Sequence, residues 1–372
     1  MKNLLLSIFA IYSFFASSQQ TNQSITIGGV SRTYIQYLPV GYNPSTETLP
    51  VVFVLHGLGG TAANMTGAGL SQIADTARFM VVYPQGLNNA FGQSSWNNGT
   101  QFINSTANDE LFFSQLMDNY ISNFNADYTR IYVTGFSMGS IMSHHLACVL
   151  NNRIAAIGAM AGTMATTDIS YYTTNPLGYK TPVIHLHGTA DGTVPYSSGA
   201  LASLSLVPET MAFWRAQHGC ASSNDSIRKP DTANDGITVD QFIYHNCDEA
   251  GAVELWRLNG ADHIYLYEPV HDITEAVEIW RFFQKWQHTN ASAVEVSELN
   301  YSALKIFPNP SAGTITIEGM HDANVELVNV NGTSLGQFRT NNSGMLDLNA
   351  FGTGLYYLRS ERFEKPLRIV VL

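Results

Sequence analysis

At 372 residues, with 45% hydrophobic and 13% charged residues, the chain can bury a large core and carry a second module, and it is too apolar to be disordered. A formal charge of −11, only 18 Lys and Arg and no basic run exclude a nucleic-acid binder, which needs clustered cations for phosphate. The sign of the charge does not identify an acidic or a neutral substrate.

The start reads as a targeting segment, residues 1–18. Lys2 supplies the positive end, Leu4 to Phe15 the apolar stretch, and Ala16-Ser17-Ser18 the small residues of a cleavage site. That stretch falls short of the ~20 apolar residues a bilayer span needs, and no other stretch is long enough to span. A secreted or cell-surface chain with no stable membrane span is expected.

Ser24 to Ile27 and Arg32 to Leu38 alternate around Gly28-Gly29, a hairpin signal. Val51 to Leu55 is an apolar strand running into His56-Gly57-Leu58-Gly59-Gly60. A helix is predicted over Gln72 to Ala77 and a buried strand over Phe79 to Tyr83. The polar segment from Gly86 to Asn108, which holds Trp96, reads as a long loop. Leu111 to Phe124 has helical spacing, and Asp109-Glu110 before it reads as a cap favoured by the helix dipole. The strand Arg130 to Thr134 leads into Gly135-Phe136-Ser137-Met138-Gly139, then a helix from Ser140 to Leu150 and a strand from Ile154 to Met160. A second long loop, Gly162 to Thr181, carries Tyr171, Tyr172 and Tyr179. Val183 to Leu186 is a strand ending in His187-Gly188-Thr189-Ala190-Asp191, and a helix covers Val207 to His218.

Cys220 and Cys247 flank a polar, Asp/Asn-rich excursion and are paired on that ground, which export permits. Cys148, on the inner side of its helix, reads as a buried free thiol. Strand Val253 to Leu258 runs into Asn259-Gly260-Ala261-Asp262-His263, and a helix from Ile273 to Trp286 closes the unit. Strands alternating with helices predict an α/β fold over residues 19–288, a mostly parallel sheet with helices on both faces. Residues 289–303 read as a linker. Residues 304–372 are all-β: short alternating runs bounded by Gly, Asn or Pro, which predict a small β-sandwich.

Strand, G-x-S-x-G, helix is the setting of a nucleophile elbow, with Ser137 pushed out at the sheet's carboxyl edge. A serine nucleophile needs a base, and the base needs a carboxylate. Asp191 and His263 follow in the chain order Ser, Asp, His, each just past a strand end. Ser137, Asp191 and His263 are therefore the expected catalytic triad, with Asp262 as a weaker alternative carboxylate. His185 and His187 read as packing, His144 and His145 as helix residues pointing away from the turn, and His271-Asp272 as the start of the last helix. The oxyanion hole is expected from the amides of Met138 and Leu58, with Gly59 as the fallback. Trp96 is expected to wall the acyl pocket, a packed core tryptophan being the alternative. No Cys/His spacing suggests zinc, H-E-x-x-H is absent, and the chemistry calls for neither metal nor cofactor.

Leu55-His56-Gly57, Asn108-Asp109-Glu110 with Phe112-Phe113, the Gly135 to Gly139 elbow, His187 to Asp191 with Val194-Pro195-Tyr196, and Gly260-Ala261-Asp262-His263 resemble the poly(3-hydroxybutyrate) depolymerase and feruloyl esterase group of α/β-hydrolases. The resemblance implies the same triad, and the group often has a cysteine pair where Cys220 and Cys247 stand. It departs from the group at Asp262, where glycine is more usual, and in lacking a tryptophan shortly after the histidine. The tail, from Ile306-Phe307-Pro308-Asn309-Pro310 through Gly354-Leu355-Tyr356-Tyr357-Leu358, resembles the C-terminal sorting domain of the bacterial type IX secretion system, which implies that machinery as a partner. An adhesive or carbohydrate-binding sandwich is the alternative for the tail. The expected function is a secreted serine esterase. Trp96, Phe102, Tyr171 and Tyr172, set among polar loop residues, favour feruloyl or acetyl esters of polysaccharide over a polymeric polyester such as polyhydroxybutyrate. A non-catalytic surface or adhesion protein on a hydrolase fold is the reading from another class.

Overall fold

The computed structural model describes residues 19–372 apart from 99, 101–104, 249–250, 290, 292–305, 310, 318–323, 330–332, 342, 361–366 and 372. The expected targeting segment 1–18, Phe102 and most of the expected linker 289–303 lie outside the described residues. The chain divides into two compact units, Met1–Ala293 and Val294–Leu372.

The first unit opens with the hairpin β1 (Gln20–Ile27) and β2 (Val30–Tyr37), followed by β3 (Leu49–Leu55), the short α1 (Ala62–Met65), α2 (Leu70–Ala77) and β4 (Met80–Pro84). Next come α3 (Asp109–Phe124), β5 (Ala126–Phe136), α4 (Met138–Val149), β6 (Ala156–Met160), α5 (Thr166–Thr174), β7 (Val183–Gly188) and α6 (Val207–Gln217). The unit ends with β8 (Asn224–Arg228), β9 (Thr238–Tyr244), β10 (Val253–Asn259) and α7 (Glu275–Phe283). All ten strands form one sheet in the order β1-β2-β4-β3-β5-β6-β7-β10-β9-β8. The run from β4 to β10 is parallel, and the pairs at either end are antiparallel.

The parallel strands β3, β4 and β6 are apolar throughout because both faces are covered. In β3, Val51, Phe53 and Leu55 face one core with Phe112, Phe113 and Leu116 of α3, Met142 and Leu146 of α4, and Met211 and Trp214 of α6. Val52 and Val54 face the opposite core with Leu70 and Ala74 of α2 and Ile279, Phe282 and Phe283 of α7.

Three elements depart from the sequence reading. The loop expected over Gly162 to Thr181 contains α5. The cysteine excursion contains β8 and β9, which extend the sheet by pairing outward from β10. α7 begins only at Glu275, and His271 and Asp272 precede it. They brace the excursion: His271 Nδ1 lies 2.6 Å from Asp235, and Asp272 accepts from the amides of Thr232 and Ala233.

The second unit holds β11 (Ile306–Phe307), β12 (Thr314–Ile317), β13 (Asn324–Asn329), β14 (Ser334–Arg339), β15 (Met345–Asp347), β16 (Gly354–Arg359) and β17 (Leu367–Val371). They form two antiparallel sheets, β11-β12-β15 and β14-β13-β16-β17. Ile315, Ile317 and Leu346 from one sheet and Leu327, Leu358 and Ile369 from the other share one core, a small sandwich.

Candidate active site

Parallel strands deliver their carboxyl ends to one edge of the sheet, and the candidate residues collect there. Ser137 follows β5 with φ 57° and ψ −120°, a strained conformation for a residue with a side chain. The strain is imposed from both sides. A Cβ on Gly135 would come 2.5 Å from the Gly139 carbonyl carbon, and one on Gly139 would come 2.6 Å from that of Leu55. The Ser137 N–H donates to Met160 O at 2.8 Å, and the Ser137 carbonyl accepts from Ser140 and Ile141 to start α4.

β3 lies beside β5, with Leu55 opposite Gly135, so the turn after β3 abuts the elbow. A Cβ on Gly57 would lie 3.2 Å from Ser137 Cβ and 3.7 Å from Oγ. In this turn the Gly59 N–H donates to Ser94 O at 2.8 Å, which removes the fallback donor. The N–H groups of Leu58 and Met138 have no acceptor among the described residues. The Met138 amide also sits at the positive end of the α4 dipole.

β7 and β10 are also neighbours, with Leu258 opposite Gly188, and this brings Asp191 to His263. His263 Nδ1 lies 2.8 Å from Asp191 Oδ2. The other carboxylate oxygen accepts from the amides of Thr193 at 2.8 Å and Val194 at 2.7 Å. Burial alone would raise the Asp191 pKa, but the hydrogen bonds from His187, His263 and the Val194 amide outweigh it and hold it well below the usual carboxylate range. The His263 ring packs on Phe136 at 4.8 Å between centroids, beside the serine. Among the described residues, no hydrogen bond joins Ser137 Oγ to His263 and none is made by His263 Nε2.

The alternative carboxylate is occupied elsewhere. Asp262 Oδ1 accepts from the amides of Gly192 at 3.0 Å and His263 at 2.8 Å, clamping the two loops together.

Trp96 corrects an expectation. It is fully buried and does not wall a pocket. Its indole N–H donates to His56 O at 2.8 Å, its ring packs on His56 and Phe113, and its amide faces Met138 Sδ at 3.4 Å. It therefore supports the turn that carries the Leu58 amide from beneath. Asp109 is likewise more than a helix cap, for which Asn108 serves. Its carboxylate is buried, 2.6 Å from Arg32 and 2.8 Å from the Asn97 amide, so it anchors the segment holding Trp96.

The sequence reading missed His56 as a support. Its Nε2 accepts from the Gly86 amide at 2.9 Å, which leaves Nδ1–H to donate to Gly57 O at 2.7 Å. Its place directly before Gly57 was the available signal. His145 was read only as pointing away. It lies 2.9 Å from Asp168 and 3.3 Å from Glu110. Burial opposes its charge, but the two carboxylates prevail and push its pKa up to about 10. Cys220 and Cys247 form a disulfide, and Cys148 is a buried free thiol.

Comparisons with known proteins agree with this architecture. Residues 40–208 match the family described as Phospholipase/Carboxylesterase, and residues 305–367 match the secretion system C-terminal sorting domain. Poly(3-hydroxyalkanoate) depolymerase C of Paucimonas lemoignei is 29% identical over 250 residues, covering 64% of this chain and 54% of the depolymerase. Feruloyl esterase D of Neurospora crassa is 25% identical over 260 residues, covering 66% of this chain and 78% of that esterase. Among solved structures, an acetyl xylan esterase from Aspergillus awamori has a TM-score of 0.51 at 15% identity, covering 71% of this chain and 99% of that one, a likeness of fold alone. The chain spans between about a third and about half the length of the first curated relatives it matches. The tail match indicates secretion or display at the cell surface. Among the described residues no helix is long and apolar enough to cross a membrane. With the sheet order and the elbow, these matches show an α/β-hydrolase fold in the first unit, similar to polyhydroxyalkanoate depolymerases and feruloyl esterases, followed by a stretch that matches a secretion-system C-terminal sorting domain.

Proposed function

We propose that the protein is a secreted serine carboxylic-ester hydrolase working through an acyl-enzyme. One observation carries the reading: Ser137 stands on the strained elbow between two amides without acceptors, with an Asp191-paired imidazole beside it. With Nδ1–H directed at Asp191, His263 presents the Nε2 lone pair. It takes the Ser137 proton as the hydroxyl attacks the ester carbonyl, and the Leu58 and Met138 amides receive the oxyanion. His263 then gives the proton to the leaving alcohol, and water repeats the sequence to free the acid. Asp191 stays ionised throughout, orienting the ring and offsetting its transient charge.

For substrate, we favour feruloyl and acetyl esters carried on polysaccharide. The name of the Neurospora esterase supports this class, and that of the Paucimonas relative supports a polyester instead. Trp96 no longer contributes an aromatic face. Leu58 and Ile264, 42% and 37% exposed, stand next to the oxyanion turn and His263 and suit an acyl or aryl group. The sorting domain supports export through type IX machinery.

The test is acid release by the purified protein from methyl ferulate, feruloylated arabinoxylan, acetylated xylan and a polyhydroxybutyrate suspension. Ferulate or acetate release well above polyester clearing is expected. Clearing of the polyester with no ferulate or acetate released would overturn the substrate, and no hydrolysis of any ester would overturn the enzyme.

A further inference from the structure

On the α4 and α6 side of β7, where a parallel strand ordinarily places apolar residues, stand His185 and His187. Both are fully buried, as are His144 of α4 and Trp214 of α6. These four residues form a continuous line. Trp214 Nε1 lies 3.0 Å from His144 Nδ1, His144 Nε2 3.3 Å from His185 Nδ1, and His185 Nε2 3.2 Å from His187 Nδ1. His187 Nε2 lies 2.8 Å from Val194 O and 3.3 Å from Asp191 Oδ2.

The direction of this line follows from its ends. An indole N–H can only donate, so His144 accepts at Nδ1 and carries its proton on Nε2. His185 then accepts at Nδ1 and donates from Nε2, and so does His187. At the far end stand only a carbonyl and a carboxylate, both acceptors. Burial first, and the neighbouring histidines second, push His144 down to about 3 and His185 well below the usual imidazole range, so both rings are neutral at working pH.

We propose that His187 is a positioning residue of the reaction, held by Trp214, His144 and His185 so that its Nε2–H, shared between Val194 O and Asp191 Oδ2, helps fix the carboxylate that orients His263. The inference rests on the reading of Asp191 and His263 under Proposed function. The titratable groups facing Asp191 are His187 from β7 and, from the loop after β10, His263 and Asp262. Those facing His187, besides Asp191, are His144, His185 and Tyr196. His187 shares Oδ2 with His263 and draws charge from it. Without that donor the carboxylate is more basic and holds an imidazolium more tightly.

The experiment uses the full chain with His187→Leu, His187→Gln and Trp214→Phe. Three readouts are taken: the pH profile of kcat and KM on p-nitrophenyl acetate, the imidazole 15N shifts, and the Asp191 carboxyl 13C titration. In His187→Leu, kcat falls about 10- to 100-fold with KM within about twofold. The acid limb of kcat/KM and the Asp191 midpoint both move to higher pH. His187→Gln, which keeps an N–H donor, recovers most of the rate, and Trp214→Phe falls between. Unchanged kcat and pH profile in a folded His187→Leu would overturn the proposal. So would wild-type 15N shifts placing a proton on Nδ1 of His185 or His187, a readout that decides the matter even if the variants fail to fold. If the wild type cleaves no ester, the functional reading fails by itself, and the 13C and 15N measurements still decide the role of His187.

Discussion

Ser137 shows how much of a site can be set by single residues. Its φ of 57° persists because Gly135 and Gly139 leave no room for Cβ atoms on either side, so the strain is held by close backbone packing and not by the serine itself. Among the described residues the hydroxyl has no hydrogen-bond partner to lose. Ser137→Ala is expected to leave the melting temperature within about 2 °C, since it removes one unpartnered group. It should also lower ester hydrolysis by at least ~10³-fold and abolish labelling by an organophosphonate. Mass spectrometry of the labelled wild type locates the adduct, and an adduct on any other serine sinks the assignment.

At the scale of elements, short loops are pinned to helices by buried carboxyl groups. Asp109, the first residue of α3, is paired with Arg32 and holds Asn97, and through it the segment of Trp96. Glu275 does the same for α7 without a cation. Its Oε1 accepts from the Leu266 amide at 3.2 Å, in the loop after His263, and Oε2 has no partner among the described residues. Burial pushes its pKa up to about 8, only partly offset by the Leu266 bond. A folded-state pKa above the unfolded 4.5 means that this contribution is fully present below pH 4.5 and is lost as pH rises through 8. Relative to Glu275→Gln, the wild type should therefore lose roughly 3 kcal/mol between pH 4.5 and 7. Denaturant unfolding of both proteins across that range checks it, and parallel curves would show that the carboxyl ionises freely in the fold.

For the whole molecule, the two units have separate cores, and all candidate site residues lie in the first. A protein ending at Ala293 is expected to keep its specific activity on a small soluble ester within about twofold, because no site residue or supporting contact described above is removed. In the native host it should stay unexported. Assay of the purified truncation and of the culture medium checks both, and a folded truncation with lost activity would mean that the tail completes the site. Within the first unit, the Cys220–Cys247 disulfide closes the excursion carrying β8 and β9. In the chain-entropy account it is worth about 3 kcal/mol.

The parallel strands, the elbow, the Ser-Asp-His order, the disulfide and the change to short alternating strands after residue 304 were legible in the sequence. Each is written locally: apolar runs where both faces are buried, glycines where backbones touch, turn residues between short strands. What stayed hidden depends on partners far away in the chain. β8 looks polar because backbone pairing onto β9, not burial, makes it a strand; every residue of β8 is exposed. Trp96 turned inward because the His56 carbonyl and Phe113 receive it, and nothing in its own loop says so. His187 reads as packing until α4 and α6 bring His144 and Trp214 into line with it. A residue's local conformation follows from its neighbours in the chain, whereas the destination of a buried polar atom is decided by whichever elements close over it, and only the tertiary structure names those.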